Sequence, residues 1–475
     1  MKKTALVVAV AAGFALSGSA RTIYVATNGQ HVAPFTNSWV AATNIQSAVD
    51  VATNGDVVLV GDGTYLLPTT VNITNGITLK SMGGPQAAVL NGRGSVRGLY
   101  LDHTNARVEG FTIRSCTVTA YGSPGIAQGG GIYAGRAALI DSCVFFSNRV
   151  EGYGSDYSFD SSDGYGQGAG IFATSNLTIR NCLIYANVSY GEGGDGWYDI
   201  CTGWGGEGGD GYGEGGGLYA VGQIRVENST IASNRTIGIG GYGGTGWSGS
   251  LPGTGYADGG GVFVVSAATG FANSIIQLNM AGDAIQNWTG GTYTYTCAAP
   301  QPDGAGNIPD HPQFVTPATG NYHVASASPC IDAGRTNDVT VDRDLEDNPR
   351  IVNGLVDMGA YEHLGSAAGL RVTLHPSEAL AAGAQWRVDG GAWQSSGTFL
   401  SGLSVGIHTV NCSTVAGFLA PADQETSIAT GRTASVNSLY VRMVPPAIGI
   451  HPVSQTNIVG ASVFFTIVAS GPAPL

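Results

Sequence analysis

Residues 170–187 read GIFATSNLTIRNCLIYAN, and this stretch occurs in four versions along the chain. The other copies are residues 131–148, 217–234 and 261–279, so three copies have 18 residues and the last has 19. Each copy begins with glycine, an aliphatic residue and an aromatic residue, and each ends with asparagine. Equal length places chemically alike residues in matched columns, which is typical of stacked repeats.

The columns of the repeat alternate in polarity with the two-residue period of a β-strand. They comprise Ile132, Ile171, Leu218 and Val262; Tyr133, Phe172, Tyr219 and Phe263; Ile140, Ile179, Val226 and Phe271; Cys143, Cys182, Ser229 and Ser274; and Asn148, Asn187, Asn234 and Asn279. A single copy cannot bury its own apolar face, so the core must come from stacking coils about 4.8 Å apart. The repeat therefore predicts a parallel β-helix over roughly residues 100–285, with the asparagines in a ladder at a turn.

Three inserts separate the copies, at residues 149–169, 188–216 and 235–260, and all leave the repeat at the same point. We expect them on one side of the coil. They contain eleven acidic residues, twelve aromatic residues and two arginines, but no lysine or histidine. Aromatic rings can stack on sugar faces, and carboxylates accept hydrogen bonds from sugar hydroxyls. Mobile solvated loops are an equally weighted interpretation.

The glycan-binding hypothesis assigns ligand contacts to acidic and aromatic residues of the inserts. These are Tyr157, Asp160, Asp163, Asp195, Trp197, Tyr198, Trp204, Asp210, Glu214 and Trp247. No cofactor is required, although Asp195, Asp199 and Asp210 stand among glycines in a way that suits calcium. The expected partner is a polysaccharide or a surface glycan.

Two alternatives to binding stay open. A glycoside hydrolase needs two carboxylates flanking the scissile bond, and a calcium-dependent lyase needs a base, for which only tyrosine is plentiful in the inserts. No residue is assigned a catalytic role on this pattern. The third interpretation is a structural stalk or adhesin without a small-molecule site.

The first twenty residues have the pattern of a secretory signal. Lys2 and Lys3 precede an apolar stretch, and small residues end it at Ala20. We expect a secreted or cell-surface protein that is monomeric and not inserted in a membrane after removal of the signal. Nucleic acid is excluded as a partner, because the net charge is −13 and Lys80 is the one lysine after the signal. The seven cysteines include no CxxC pair, and their pairing is left open.

Two further segments resemble a known protein group. Residues 22–25 (TIYV), 44–49 (NIQSAV), 55–60 (GDVVLV) and 63–65 (GTY) resemble the start of bacterial right-handed β-helix proteins of the pectate-lyase-like superfamily. Residues 328–334 (SPCIDAG), 344–350 (DLEDNPR) and 356–362 (VDMGAYE) are similar to the C-terminal signature of the choice-of-anchor Q surface proteins, with Cys330 where a small residue is usual. The resemblance implies an all-β fold, with a right-handed parallel β-helix over residues 21–364 and a capping helix near 46–52.

The remainder of the chain resembles modules repeated on bacterial surface proteins. Residues 370–444 resemble a small β-sandwich module, and residues 445–475 resemble the first strands of a truncated immunoglobulin-like domain. The predicted organisation is therefore a signal peptide (1–20), a β-helix (21–364) and these two modules.

Overall fold

The computed structural model describes residues 20–156, 161–197, 205–244, 250–365, 369–429 and 433–443, and beyond these only 447–450, 462, 464 and 468–470. The predicted signal peptide, apart from Ala20, lies outside the described residues. In the described part of the chain, no helix has the length and apolar character needed to cross a lipid bilayer.

Short strands make up nearly all the regular secondary structure of the described chain. Up to residue 114 the elements are β1 (Thr22–Val25), α1 (Ile45–Val51), β2 (Val57–Val60), β3 (Gly63–Leu66), β4 (Val71–Ile73), β5 (Thr78–Ser81), β6 (Ala88–Asn91), β7 (Leu99–Asp102), β8 (Arg107–Glu109) and β9 (Thr112–Arg114). The repeat region contains β10 (Thr117–Gly122), β11 (Gly125–Gln128), β12 (Ile132–Arg136), β13 (Leu139–Asp141), β14 (Val144–Phe146), β15 (Arg149–Gly154), β16 (Gly164–Gln167), β17 (Ile171–Ala173), β18 (Leu177–Arg180), β19 (Leu183–Tyr185), β20 (Val188–Glu192), β21 (Gly211–Glu214), β22 (Leu218–Ala220), β23 (Ile224–Glu227), β24 (Thr230–Ala232), β25 (Arg235–Ile239), β26 (Gly255–Asp258), β27 (Val262–Val264), β28 (Gly270–Ala272), β29 (Ile275–Gln277) and β30 (Met280–Ala281). The last coil contains β31 (Ala284–Ile285), β32 (Trp288–Thr289), β33 (Thr292–Thr294) and β34 (Cys297–Ala298).

These strands stack into three long sheets that form a right-handed parallel β-helix. Sheet A has the order β1-β2-β5-β8-β13-β18-β23-β28-β33, sheet B the order β3-β6-β9-β14-β19-β24-β29-β34, and sheet C the order β32-β27-β22-β17-β12-β7-β4. Inward side chains of all three sheets form one continuous apolar core, and α1 covers its upper end with Ile45, Ala48 and Val49. The coil thus extends from Thr22 to Ala298, well beyond the predicted 100–285 at its N-terminal end.

The predicted asparagine ladder lies at the bend that follows sheet B. Asn148 donates its side-chain and backbone N–H groups to Oδ1 of Asn187 at 3.0 Å each. Asn187, Asn234 and Asn279 repeat this contact with the next coil, and Asn279 donates in the same way to Asn287. These side chains are fully buried, so each carbonyl and N–H finds its partner inside the column rather than in water.

The cysteine column has a defined hydrogen-bonding role. Cys143 and Cys182 are buried in this column, and each thiol donates to the carbonyl two residues earlier, at 3.1–3.2 Å. Cys116 makes the same kind of bond at 3.3 Å, but it is the register neighbour of Asn148 and stands at the head of the asparagine column. At the positions that match Cys143 and Cys182, the hydroxyls of Ser229, Ser274 and Thr296 make the same bond at 2.8–3.0 Å. The column therefore selects a small donor, and the thiol acts there as the hydroxyl does.

Residues 313–363, which we call the clasp, lie over the outer face of sheet B. The clasp contains β35 (Phe314–Thr316), a 3-10 turn (Pro317–Thr319), β36 (Asn321–Val324) and a second 3-10 turn (Thr336–Asp338). Its apolar side chains pack on the outward residues of sheet B. Arg350 is wholly buried and donates to Oδ1 of Asn181 on the coil at 2.8 Å and to Glu362 at 3.3 Å. This charged anchor joins the clasp to the β-helix.

Residues 369–443 form a small β-structure with its own core around the buried Trp386. Its elements are β37 (Gly369–His375), α2 (Ser377–Ala381), β38 (Trp386–Val388), β39 (Phe399–Ser401), β40 (Gly406–Cys412), β41 (Phe418–Leu419), β42 (Gln424–Ile428), β43 (Thr433–Leu439) and β44 (Val441–Arg442). Two three-stranded sheets, β39-β37-β43 and β38-β40-β42, supply this core. Beyond it, β45 (Ala447–Ile450) pairs with β46 (Val468–Ser470), and most of the predicted immunoglobulin-like segment lies outside the described residues.

Removal of one ladder asparagine should destabilise the β-helix. Asn187→Ala removes the Asn187 side-chain partner of the Phe145 carbonyl and of both Asn148 N–H groups, and it leaves Oδ1 of Asn234 with the backbone N–H of residue 187 alone. An unsatisfied buried polar group costs about 1–3 kcal/mol, so we expect a loss of about 3 kcal/mol or more in the free energy of unfolding, measured by denaturant titration. The control Asn176→Ala removes an exposed asparagine and should change stability by less than about 0.5 kcal/mol. Equal effects would disprove the ladder's role.

Candidate functional site

The three inserts form a two-layered projection, which we call the fin, between sheets B and C. In each coil the chain leaves sheet B into sheet D and returns through sheet E before it enters sheet C. Sheet D has the order β10-β15-β20-β25-β30-β31 and sheet E the order β11-β16-β21-β26, with parallel pairing among the fin strands β10–β26. The preceding coil adds β10 and β11, which the sequence pattern did not assign to an insert. All three inserts therefore lie on one side of the β-helix as ordered layers.

The space between the two layers of the fin becomes narrower with distance from the β-helix. Small apolar side chains fill it near the β-helix, and backbone alone fills it farther out. Near the β-helix, Ala127, Val150 and Ala169 fill the space between the layers. Farther out only glycine fits. A Cβ added to Gly152 would lie 2.1 Å from the carbonyl oxygen of Tyr165, and one added to Gly209 would lie 2.2 Å from that of Ser162. Sheets normally pack about 10 Å apart, so the glycines permit an unusually close approach of two backbones.

Hydrogen bonds cross between the layers where the glycines are densest. The backbone N–H of Gly253 donates to the carbonyl of Gly241, and in the same way Gly241 donates to Gly209, Gly209 to Gly194 and Gly194 to Ser162. Each of these bonds is 2.9 Å long. In the segments 191–196, 205–210 and 238–243 every third residue carries a side chain. A three-residue period is that of the polyproline II conformation, whose backbone groups are free to bond to neighbouring segments. The inserts are thus packed and hydrogen-bonded in their described parts.

Most predicted carboxylate ligands bind backbone of the neighbouring coil. Oδ1 of Asp163 accepts the N–H of Asp210 at 2.9 Å, and Oδ1 of Asp210 accepts that of Thr254 at 2.7 Å. In the other layer, Oδ1 of Asp195 accepts the N–H of Tyr242 at 2.9 Å. These three acids are therefore engaged in holding coils together, and Asp195 lies in a different layer from Asp163 and Asp210.

The predicted calcium ligands are not gathered into one group. Asp195 and Asp210 belong to the outgoing and returning layers, and Asp199 lies outside the described residues. Within the described ranges there is no group of three or more His, Cys, Asp or Glu side chains that could hold a metal ion.

Other predicted ligand-binding residues fall in three gaps of the description. Tyr157, Asp160, Tyr198, Trp204 and Trp247 all lie outside the described residues. Trp197 is described, with a half-buried side chain, and its carbonyl accepts the N–H of Gly206 at 2.7 Å.

Five described tyrosine rings of the fin stack in two groups. Tyr165, Tyr212 and Tyr256 form a column on the outer face of sheet E, with ring centroids 4.6 and 4.9 Å apart. Tyr121 and Tyr153 stack on sheet D at 5.0 Å. Because ring faces inside a column contact other rings, they present edges and hydroxyls to solvent rather than flat faces.

Sheets E and C meet at an angle and form what we call the E–C corner. On sheet C the ladder of Tyr100, Tyr133, Phe172, Tyr219 and Phe263 has centroid spacings of 5.1–5.3 Å. Phe172 and Tyr219 are only 3% and 8% exposed although they point away from the core, so neighbouring residues cover these two rings at the corner. On sheet E a polar column lies at its base, and it consists of Gln128, Gln167, Glu214 and Asp258.

Hydrogen bonds run along the polar column and stop at its two carboxylates. The side-chain amide of Gln128 donates to that of Gln167, and the amide of Gln167 donates to the carboxylate of Glu214, each at a distance of 2.7 Å. Asp258 is the register partner of Glu214 and accepts from Gln286 at 3.3 Å. Burial, and then the charge of Asp258, raises the pKa of Glu214, although the bond from Gln167 opposes this.

A comparison with sheet A shows that acidic register neighbours there have cationic partners that this pair lacks. Glu109 and Asp141 are also register neighbours, but Lys80 binds the first at 2.9 Å and Arg180 the second at 2.8 Å. Glu214 and Asp258 have glutamine neighbours instead. Arg97 closes the upper end of the corner, where it lies over the ring of Tyr133 and donates to the carbonyls of Gln128 and Gly129. The charge of Arg97 is therefore bound beside Gln128, the first residue of the polar column, whereas Asp258 is the fourth.

Sequence reasoning assigned Glu214 to the site but missed its neighbours. The signal was present, because residues 125–131, 164–170, 211–217 and 255–261 read GIAQGGG, GYGQGAG, GYGEGGG and GYADGGG. This is a second repeat that precedes the first. It places Tyr165, Tyr212, Gln167 and Asp258 in columns, as their strands show.

A Ser-His-Asp arrangement occurs in the C-terminal module, but its geometry does not suit a nucleophile. Nδ1 of His408 lies 2.5 Å from Asp389, and Nε2 lies 2.8 Å from the carbonyl oxygen of Ser404. Both partners are acceptors, so both ring nitrogens carry hydrogens. The hydrogen bond to Asp389, followed by that to Ser404, raises the pKa of His408. The ring is thus a donor to both sides and has no lone pair to accept a hydroxyl proton.

Comparisons with known proteins find structural likenesses that are too weak to carry an argument. No protein-family model matches this chain, and a search of curated proteins finds no significant similarity. Among solved structures the chain is similar to pectate lyase Pel9A, with 16% identity, a TM-score of 0.29 and coverage of 72% of this chain and 96% of that one. It is also similar to the deglycosylated pectin methylesterase from Aspergillus niger, with 13% identity, a TM-score of 0.30 and coverage of 61% and 88%. At these TM-scores neither likeness carries an argument about the chemistry of this chain.

A methyl group inside the fin should separate its layers. Gly209→Ala places Cβ against the Ser162 carbonyl, and overpacking of this kind costs about 1–3 kcal/mol. We expect faster hydrogen–deuterium exchange at Gly194 and Gly241, whose N–H groups cross the fin. The control Gly270→Ala meets only the Thr292 hydroxyl, at 3.3 Å, and should leave this exchange unchanged. Unchanged exchange in Gly209→Ala would mean that the layers are not closely packed.

Proposed function

We propose that the protein binds a linear, uncharged polysaccharide along the E–C corner. The observation that supports this most is the pair of in-register columns on sheet E. One column presents the hydroxyls of Tyr165, Tyr212 and Tyr256, and the other presents the amides and carboxylates from Gln128 to Asp258.

A repeated surface favours a repeated ligand. Successive coils place equivalent polar groups about 4.8 Å apart along the axis, so a polymer can make similar contacts with each coil it crosses. A small molecule would contact one or two coils and would leave the rest of the columns unused. The length of the columns therefore favours a chain-like ligand.

The chemistry of the columns favours sugar hydroxyls. Tyrosine hydroxyls and amides both donate and accept hydrogen bonds, and carboxylates accept them. Tyr165 and Tyr212 already donate to Asp163 and Asp210 at 2.9 and 3.0 Å, so their oxygens are oriented and retain acceptor capacity. The excess of acids in the corner disfavours polyanions.

The stacked rings change the expected mode of recognition. Ring faces inside each column are covered by neighbouring rings, so the sugar is bound through phenol edges and hydroxyls. This differs from the stacking on flat ring faces that the sequence favoured. Calcium is not needed for this mode and is retained only as a secondary hypothesis.

The cellular setting of this proposal comes from sequence. The signal-like pattern of residues 1–20 supports export from the cytoplasm, and the choice-of-anchor Q resemblance favours display on a cell surface. The module at residues 369–443 and the immunoglobulin-like segment then serve as spacers. A stalk or adhesin without a glycan site is the outcome that the following experiment tests against.

Loss of one tyrosine hydroxyl in the corner should weaken polysaccharide binding. Tyr212→Phe keeps the ring column but removes the oriented oxygen, so we expect roughly tenfold weaker binding, equivalent to about 1.4 kcal/mol. The assay is affinity electrophoresis against xylan, mannan, glucan and polygalacturonate. Tyr242→Phe is the matched control, since Tyr242 is 79% exposed on the outgoing layer of the fin. Failure of the wild type to bind any of these polymers, or equal loss in both variants, would contradict the proposal.

A second candidate function is hydrolysis of the bound polysaccharide. Glu214 and Asp258 are carboxylates on adjacent coils without a cationic neighbour in their column, and the raised pKa of Glu214 suits a general acid beside a second carboxyl group. The strand spacing of about 4.8 Å is near the roughly 5–5.5 Å separation of the carboxyl groups in retaining glycosidases. The pair is therefore the place to look for catalysis.

Hydrolysis by this pair should depend on the protonated form of Glu214. Release of reducing ends should fall as the pH rises through the pKa of Glu214, because the acid then loses the proton that it must donate. Glu214→Gln should abolish this release while binding is retained. Glu192→Gln is a control on the other layer of the fin. If the wild type binds a polysaccharide but releases no reducing ends, hydrolysis is contradicted and polysaccharide binding alone remains.

A further inference from the structure

Two cysteines meet where the clasp covers the last coil. Cys297 belongs to β34, where it is the register partner of Ile275 and points outward from sheet B. Cys330 belongs to the clasp. Both are completely buried in the apolar cluster between the clasp and sheet B. The contact therefore joins a residue of the β-helix to a residue of the clasp.

The Cys330 thiol lies within hydrogen-bonding reach of the Cys297 side chain in this buried cluster, and the Cys297 thiol donates to the Asp310 carbonyl at 3.1 Å. The hydrogen bond between the two cysteines, followed by burial, raises the pKa of Cys330. The backbone is fixed on both sides, since the Cys330 carbonyl accepts the N–H of Met358 at 3.0 Å and the Cys297 N–H donates to Ser274 at 2.8 Å. The sulfur atoms are therefore held near one another by structure that does not depend on a bond between them.

The other described cysteines have different surroundings. Cys116, Cys143 and Cys182 each donate to the carbonyl two residues earlier, and in the column of Cys143 and Cys182 serine and threonine do the same. Cys412 lies in the C-terminal module, and Cys201 is outside the described residues. Among the described cysteines, Cys297 and Cys330 are thus the pair in which thiol meets thiol across two structural units.

We propose that Cys297 and Cys330 form a disulfide that fastens the clasp to the β-helix. The oxidant is an oxidised dithiol. One cysteine thiolate attacks its disulfide, which forms a mixed disulfide and releases one oxidant sulfur as a thiolate. The second cysteine thiolate then attacks the mixed disulfide, forms the Cys297–Cys330 bond and releases the other sulfur. Two protons leave the protein thiols, and the oxidant gains two electrons.

Exchange takes place as the clasp docks. In the closed structure both thiols are inaccessible and the thiolate is disfavoured, whereas before closure the side chains are open to the oxidant. The finished bond closes a loop from the last coil to the clasp and fixes the cover over sheet B. It is suited to the oxidising surroundings that the predicted export implies, but the chemistry can be tested in a defined redox buffer.

The test is disulfide mapping of the full chain refolded with oxidised and reduced glutathione. The protein is denatured without reductant, alkylated with iodoacetamide, digested and examined by mass spectrometry. We expect one linked peptide pair that contains Cys297 and Cys330, with alkylation of Cys116, Cys143 and Cys182. Alkylation of both Cys297 and Cys330, or linkage of either to another cysteine, would overturn the proposal.

Stability supplies a second measurement. Cys330→Ala should free Cys297 for alkylation and lower Tm in oxidising buffer, and reductant should lower the Tm of the wild type but not that of the variant. Cys412→Ala is the control and should keep the linked pair and the response to reductant. A wild-type Tm that is insensitive to reductant would contradict a fastening role. The mapping experiment uses the wild type and so decides the linkage even if a variant fails to fold.

Discussion

The structure depends on the in-register pairing of successive coils. Each residue of a coil lies directly over its counterpart in the next, so the choice of one side chain constrains a whole column. A buried asparagine is tolerated because its neighbours are asparagines that offer the complementary donor and acceptor. A buried thiol is tolerated because the carbonyl two residues earlier is always within reach. Polar groups are thus satisfied along the axis, without water and without contacts across the core.

The fin applies the same constraint at shorter range. Two sheets that present only glycine to each other can approach until their backbones bond directly, as Gly209 and Gly194 do. Backbone amides then fill the space between the sheets, where side chains would otherwise pack. Every third residue can still carry a side chain that points outward. Where the layers are regular strands, the tyrosines of sheet E again stack in a column. Recognition by such a surface must be repetitive, because the coil gives no position a chemistry wholly independent of its neighbours.

The coil could be predicted from the sequence because its repeat appears as a regular pattern of apolar residues. The columns of Ile171 and Asn187 occur at constant spacing, and constant spacing is enough to infer stacking. The fin was not predicted as two layers because its order lies in backbone hydrogen bonds. Glycine shows no hydrophobic period, so a packed glycine layer and a mobile glycine loop have the same composition. The GYGQ and GYGE repeats before Gly168 and Gly215 were the one readable sign, and they place Gln167 beside Glu214. Which carboxylates bind backbone and which remain available, as for Asp210 and Glu214, depends on neighbouring coils and could not be deduced from one sequence.

The two settings of cysteine illustrate how the fold assigns chemistry to a residue type. Inside the column, Cys182 is followed by Ser229 in the next coil, and both donate to the same kind of carbonyl. Nothing in that position uses the redox chemistry of sulfur, and a hydroxyl serves as well. On the outer face of sheet B, Cys297 follows Ile275, so that position accepts an apolar group. It meets a second thiol only because the clasp folds back over it. The coil therefore determines which side of the sheet a sulfur faces, and the covering segment determines whether it has a partner. The reactive pair lies where two independently ordered parts of the chain come together, which is where a covalent bond adds a constraint that stacking alone does not provide.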